Sequence, residues 1–368
     1  MIDLSQQGYS HKELIRLLSY PNGNREVQYH IDVLRQGVAV AKLEHDQCSY
    51  SCDSTASTKH FARINVRDNP LVEWETDLLR PVMTLFADGR AFTFPFVPLL
   101  PVTVLDTLRQ GVAGKEIEAF DECITLENNS VGEVIFLPRG MLYTVAIESL
   151  LARAGITQSN IVPSSKAIQT DREDWSEDTD IITIANQLLE EMGYTSLEVD
   201  IDGLLTAKPY QPPTIQTASI HYDTGPLSVI LPDYSTESDS YKRPNRFIGV
   251  VSNPDIDEPM RYEFINSSPS SPISTANTGR VITSYKTYDN IADYDSLVSN
   301  VQKWASETTA GYTRFELPTA VMPHHGVRDT LTVSSPGGSG VYSEVGWEIS
   351  DLKSDGIMNH VLEAISIE

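Results

Sequence analysis

Cysteine is nearly absent from this chain of 368 residues: there are three, Cys48, Cys52 and Cys123. An odd count with one CSYSC cluster is no disulfide framework, and C-x3-C without a second pair gives zinc too few ligands. The expectation is free thiols. Long apolar runs are missing too. The longest, FTFPFVPLLPVTVL, is broken by Pro95, Pro98 and Pro101 and is too short to cross a bilayer, so no stable membrane insertion is expected. The start, MIDLSQQGYSHKELIRLL, has no basic segment followed by an apolar one. It does not read as a secretion signal, and synthesis in the cytoplasm is expected. Positive charge is scarce: 27 Lys and Arg face 51 Asp and Glu, a net charge of -24. Gripping nucleic acid needs clustered Lys and Arg, so that function is excluded for the chain itself. A saline setting explains such acidity, and so does a surface that lets a polyanion pass without sticking. H-E-x-x-H, G-x-S-x-G, the P-loop and G-x-G-x-x-G are all lacking.

What is present is mostly β patterning. His11 to Tyr20 reads as a short helix capped by Ser10, with Leu14, Leu17 and Leu18 on one face. PNGN then turns the chain. Val27, Tyr29, Ile31 and Val33 alternate in a strand, and RQG turns it toward VAVAKL. HFARINV alternates through Ala62, Ile64 and Val66, and LVEWETDLLRPVMTL and GRAFTFPFVPLLPVTVL continue the pattern. From about residue 140 the texture changes. Leu142, Val145, Ala146, Ile147, Leu150 and Leu151 follow helical spacing, and Gly155 ends that run. TQSNIVPSSKAIQTDREDWSEDTD reads as loop. Ile181, Ile184, Ala185, Leu188, Leu189 and Met192 form a second apolar stripe, closed by Gly193. SLEVDIDGLLTAKPY reads as a hairpin turning at Asp202-Gly203. PYQPPTIQ is a proline-rich joint. β patterning then returns through IHYDTGPLSVILP, NRFIGVVSNP, MRYEFINSS and GRVITSYKTYD, with a helix at about Asp295 to Thr308. YTRFELPT, DTLTVSS and EVGWEISDL follow, GGSG reads as a flexible hairpin loop, and SPSSPISTANTG as an exposed one. The fold class is α+β, mostly β. The expected units are 1–138 with an N-terminal helix, a small α/β unit at 139–212, and a second β unit at 213–368.

Chemistry is sparse. DREDWSEDTD is rich in carboxylates but has no glycine to make a calcium loop, so it reads as a solvated helix start. A carboxylate pair for glycoside hydrolysis is assembled only by the fold, and nothing singles one out. The pair His324-His325 lies just before Asp329 in VMPHHGVRDTLTV. Adjacent residues in a strand point to opposite faces, so these two imidazoles would not share a metal there. The expected role is a turn entering a strand, with Asp329 accepting from nearby backbone amides.

The order of several segments resembles the tail hub, baseplate hub or minor tail proteins of tailed bacteriophages. ARINVRDNPLVEWETDLLRPVMTLFADGRAFTFPFVPLLPVT carries Asp77, Leu79, Arg80, Pro81, Gly89 and Pro95 to Leu100. DWSEDTDIITIANQLLEEMGYTSLEVDIDGLLTAKPYQPP carries Trp175, the run Ile184 to Leu189, Asp202, Gly203 and Pro209. RPNRFIGVVSNP carries Pro244, Asn245 and Arg246; TAVMPHHGVRDTLTV carries Pro323, His324 and Asp329; the ending carries Trp347, Gly356 and Met358. The resemblance covers the chain from about residue 25 onward and implies structural roles for these positions, with no catalytic, cofactor or metal residue. It implies two tail-tube-like β-barrel or sandwich domains flanking the small α/β domain. It implies a homotrimer whose six such domains form a pseudo-sixfold ring between the tail tube and a threefold tip. Its implied partners are a distal tail or tube ring protein, the tape-measure protein, and tip spike or receptor-binding proteins. DNA would pass through the lumen without specific binding, and the location would be the tail tip of the virion. Many such proteins carry further C-terminal hydrolase or carbohydrate-binding domains. This chain ends soon after EVGWEISDL, so catalysis is not expected. A wall-degrading hydrolase would be marked by a buried, perturbed Glu or Asp in a deep cleft. A glycan-binding protein would be marked by a shallow exposed row of aromatics.

Overall fold

Ser10 accepts from the Glu13 backbone amide, and the Glu13 side chain returns a bond to Ser10 N, so a capping box starts the helix His11–Leu18. The computed structural model describes residues 1–19, 26–109, 111–226, 228–232, 234–238, 243–253, 259–269, 271–310, 313–353 and 356–365. The expected PNGN turn, with Tyr20 and Tyr312, lies outside these. Strand is the commonest regular structure in the remainder. Alternation sets the faces: along Glu26–Arg35, Val27, Ile31 and Val33 are buried, and along His60–Arg67, Ala62, Ile64 and Val66 are.

Two sheets dominate. A four-stranded sheet runs Val38–Leu43, Glu26–Arg35, Leu78–Ala87, Arg90–Pro95. It packs against a larger, ten-stranded sheet. The main path of that sheet runs Ser235–Ser238, Thr313–Ala320, Ile357–Ala364, Gly338–Ile349, His45–Asp53, His60–Arg67, Val112–Phe120, Leu100–Arg109. Ile220–Asp223 and Thr330–Ser335 lie off this path, the latter pairing the N-terminal half of Gly338–Ile349. A run from residues 235–364 therefore joins a run from residues 45–120 in one sheet. One core follows suit, drawing on Leu4 to Ala119 and on Ile220 to Leu362.

The join is antiparallel: Gly346 pairs Asp53, Trp347 pairs Cys52, Glu348 pairs Ser51, and Ile349 pairs Tyr50. Just before it the register slips between Glu344 and Gly346, a bulge that turns the strand from one partner to the next. A Cβ on Gly346 would lie 2.7 Å from the Cys52 carbonyl oxygen, so glycine lets the two backbones meet. Beneath the join, Tyr50 stacks on Trp347 with centroids 5.5 Å apart, and Phe96 packs on Tyr50 at 5.1 Å. His45–Asp53 contains the CSYSC segment. Cys48, Tyr50 and Cys52 all point into the core, and both thiols are free and buried.

Two smaller cores complete the chain. One takes in Val97, the run from Cys123 to Ala207 and Ala292, and includes the helices Tyr143–Arg153 and Ile181–Glu191, with a three-stranded sheet Glu198–Val199, Leu205–Ala207, Ser159–Ile161. Ala146, Ile147, Leu150 and Leu151 are buried as the spacing demands, whereas Leu142 caps the helix and Val145 faces solvent. The stretch expected as plain loop supplies the strand Ser159–Ile161. The other core packs Tyr294–Ala310 on the sheet Arg261–Ile265, Arg246–Val251, Thr283–Tyr288.

Two loop expectations are corrected. In GGSG the turn itself is Pro336-Gly337, and Gly338 to Gly340 already pair as strand. These glycines make room for rings: a Cβ on Gly337 would collide with Tyr234, and one on Gly338 with the Tyr342 hydroxyl. SPSSPISTANTG is a built loop, with Ser271, Ile273 and Ser274 buried and a short helix Thr275–Thr278. Small residues there fold around buried hydrogen bonds.

The join makes a sharp demand on one residue. Gly346→Val is expected to lower unfolding free energy by about 2–3 kcal/mol through overpacking. Gly340→Ala, whose Cβ would find its nearest atom at 3.7 Å, is expected to cost under about 1 kcal/mol. Urea denaturation of both variants checks this; equal losses would show that the join is not the constraint.

Candidate functional site

Residues singled out in the sequence fall into four places. Arg80 and Pro81 lie in Leu78–Ala87, where Arg80 pairs across the strand with Asp32 and its guanidinium is 3.6 Å from that carboxylate. Pro81 pairs Ile31, and its carbonyl accepts from Phe96 N at 2.9 Å. Nearby Asp77 receives two bonds of 2.8 Å from Arg35 and one from Glu73 N, which holds its carboxyl below the usual range.

Trp175 belongs to the second core. Its indole donates to Gln187 Oε1 at 2.9 Å, and the Arg172 guanidinium lies 4.9 Å from its ring centre. Arg172 is itself buried, forked onto Glu191 at 2.8 and 3.0 Å and bonded also to Asp174. Tyr143 and Gln187 also donate to the Glu191 carboxylate. Such a pair is destabilising when one partner is removed, which marks it as a structural lock. In the hairpin turn, Asp200 rather than Asp202 does the bonding, accepting from Asp202 N at 3.0 Å and Leu204 N at 2.9 Å. Gly203 has φ +85° and sits against Pro98, so this turn is a contact between two cores.

Pro244 precedes Asn245, which is buried at the centre of the SPSSPISTANTG loop. Its Nδ2 donates to Ile273 O at 3.1 Å and Arg280 O at 3.0 Å, and its Oδ1 accepts from Ile282 N at 2.9 Å. Arg246 is forked onto Glu263 at 2.9 and 3.1 Å.

Pro323, His324 and Asp329 lie where the N-terminal segment meets the C-terminal strands. Asp329 Oδ2 accepts from Gly326 N at 2.7 Å, and its other oxygen pairs with the Met1 amine. His324 is buried; its carbonyl accepts from Ile2 N at 2.8 Å, and its Nδ1 has no partner. Burial and the neighbouring His325, His11 and His360 hold its pKa well down.

His325 enters a buried polar chain that sequence reading did not assemble. His325 Nε2 is 2.6 Å from the Tyr222 hydroxyl and its Nδ1 is 2.7 Å from Glu344 Oε2. Glu344 Oε1 is 2.6 Å from His360 Nδ1, and His360 Nε2 is 2.9 Å from Thr319 Oγ1. Desolvation opposes ionisation of Glu344, but the contacts with His325 and His360 hold its carboxyl below the usual range. The members come from four strands and the turn segment before Thr330–Ser335, so no local spacing reveals them. One signal was available: Glu344 and His360 occupy core-facing positions in alternating strands, where charge needs a partner.

Clefts occur where the cores meet. One of about 430 Å³ is lined by Lys59, Lys208, Lys303, Arg328, Glu198 and Glu307, among others. Burial raises the Glu198 carboxyl, the kind of group a hydrolase would need. Asp200 and Asp329, which line the adjoining cleft of about 330 Å³ with it, are both engaged in turns.

With this geometry in place, comparison decides the fold. No family model matches the sequence, and no curated protein matches it. Among solved structures, a tail protein from Neisseria meningitidis MC58 superposes with TM-score 0.62 at 13% identity, over 92% of this chain and 97% of that one. The 43 kDa tail protein of prophage MuSo2 from Shewanella oneidensis gives TM-score 0.62 at 8% identity, over 92% and 98%. The chain has the fold of a phage tail protein. An E. coli type VI secretion component, itself described as similar to bacteriophage T4 tail proteins, matches with TM-score 0.50 at 9% identity, over 94% of this chain and 77% of that one. In this tail-protein fold, the aromatic contacts below the join are completed by His60, whose Nδ1 is 3.2 Å from the Tyr50 hydroxyl.

Burial pushes the His60 imidazole from 6.5 down to about 4. The unfolded ring takes its proton near 6.5 and the folded ring near 4, so this contribution is complete above pH 6.5 and is lost as pH falls toward 4. The expected loss is roughly 3 kcal/mol over that interval. His60→Gln should flatten the acid side of the stability curve by that amount. An unchanged curve in urea titrations would contradict the assignment.

Proposed function

We propose that this chain is a structural virion protein of the tail tip: a hub in which three copies form a ring that adapts a sixfold tail tube to a threefold tip and lets DNA pass during ejection. In this reading residues 1–138 and 213–368 supply two tube-like units and 139–212 the small unit between them. Its neighbours would be a distal tail or tube ring protein, the tape-measure protein, and tip spike or receptor-binding proteins. No reaction is assigned to it.

The observation that carries the reading is the construction of the large sheet. Its main path is a four-strand run from residues 235–364 joined to a four-strand run from residues 45–120. Three copies would place six such runs around an axis. Three eight-strand paths at about 4.8 Å per strand give a ring on the order of 115 Å around and roughly 37 Å across, wider with strand tilt. The ends of the path also support assembly. Leu100–Arg109 pairs along its length with Val112–Phe120 alone among the described residues, and it exposes Val102, Leu105 and Leu108. A long apolar edge strand invites another strand. Substituting Leu105→Lys and Leu108→Glu is expected to leave the thermal melt unchanged and to shift sedimentation from trimer to monomer. A double variant that assembles like the parent protein would remove this edge from the interface.

The face of the sheet turned away from the core also fits a DNA passage. It carries Asp53, Glu116, Glu118, Glu316 and Glu348, which outnumber Arg63, Arg67 and Arg314. An acidic wall repels phosphate and binds no DNA. Replacing Glu116, Glu118 and Glu348 by Lys should make the assembly retain duplex DNA in a salt-sensitive way, with no retention by the parent protein. Retention by the parent protein itself would contradict an acidic passage.

A further inference from the structure

The buried chain Tyr222–His325–Glu344–His360–Thr319 is short of one cation. Its contacts include these five: Tyr222 hydroxyl to His325, His325 to Glu344, Glu344 to His360, His360 to Thr319, and Thr319 Oγ1 donating to Ala320 O at 2.8 Å. Two hydroxyls and two neutral imidazoles provide one hydrogen each, and an ionised carboxylate provides none, so four hydrogens serve five contacts. When the Thr319 hydrogen goes to Ala320 O, His360 donates through Nε2. Its Nδ1 lone pair then faces a carboxylate oxygen at 2.6 Å. Two lone pairs cannot sit so close without a positive centre between them.

We propose that His325 Nδ1, Glu344 and His360 Nδ1 form a binding site for a divalent transition-metal ion of the zinc class. The three residues converge from three segments, and their ligand atoms all lie within 4.8 Å of one another. Imidazole nitrogen and carboxylate oxygen are the donor set that zinc, cobalt and nickel take, whereas calcium and magnesium prefer oxygen alone. Both imidazoles already have the outer partner that a metal ligand needs. Tyr222 stands on the far nitrogen of His325 and Thr319 on that of His360, so Nε2–H can donate outward while Nδ1 points inward. Ligands of a tetrahedral ion stand about 3.3 Å apart, so binding asks each imidazole to withdraw from the carboxylate by roughly 0.6 Å. The neighbouring His324 ring is centred 4.7 Å from that of His325, and its buried Nδ1 is without a partner. It stands outside the group of three whose ligand atoms converge.

Such an ion would tie the segment before Thr330–Ser335 to Gly338–Ile349 and Ile357–Ala364 directly beside the bulge at the join. The test is metal content of the full-length protein, purified after growth with added Zn2+ and again after chelation and titration with Co2+. The expected result is one equivalent per chain, a visible cobalt ligand-field spectrum, and a raised melting temperature. Glu344→Gln and His360→Gln keep the shape of the cluster and should lose the metal and the spectrum. If either fails to fold, Thr319→Val leaves all three ligands in place and should weaken metal affinity tenfold to a hundredfold. A folded parent protein that takes up no Zn2+ or Co2+ above background would overturn the proposal and assign the missing cation to a proton.

Discussion

The large sheet depends on the meeting of Tyr50–Asp53 with Gly346–Ile349. Ladder bonds there cross nearly the whole length of the chain, and loop closure over such a span is costly in entropy. What offsets that cost lies underneath. Tyr50, Trp347 and Phe96 pack as one aromatic body, with His60 bonded to its polar end. The bulge at the join lets Gly338–Ile349 serve Thr330–Ser335 with one half and His45–Asp53 with the other. Glu344 sits at that bulge, so the buried polar chain and the join share one strand.

The smaller cores touch this frame and each other at their borders. Gly203 lies against Pro98 in the main body. Asn300 donates to Glu190 O and Ala292 N to Glu191 O, which joins the last long helix to the helix of the second core. Lys166 reaches Ser296 and Asp293 across the same border. These bonds tie the two smaller cores together. The Arg172–Glu191 pair lies just inside, ordering the helix that makes them.

Much of the fold was legible in the sequence, because alternation and helical stripes are local. The helix at Ile181–Glu191 and the hairpin beginning at Glu26 follow directly from their apolar spacing. The strand His45–Asp53 did not emerge, although it holds the join. Its inward positions are Cys, Tyr and Cys, a weakly apolar set read as a cysteine cluster. The role of Asn245 was equally hidden, since its bonds reach a loop some thirty residues away. His325 was visible as an unusual residue, but its partners Glu344, His360 and Tyr222 come together through pairing that no spacing encodes. Sequence identity of 8–13% to solved tail proteins with nearly full coverage makes the same point: the fold persists where residues do not.

The central claim is that two four-strand runs in one chain stand in for two subunits of a tube. It is tested most directly by the mass of the purified protein in solution, alone and with its tail-tube ring protein, measured by light scattering across concentration. The account predicts a particle of three times 40.8 kDa, formed either alone or on adding the ring. A chain that stays at 40.8 kDa under both conditions would contradict it.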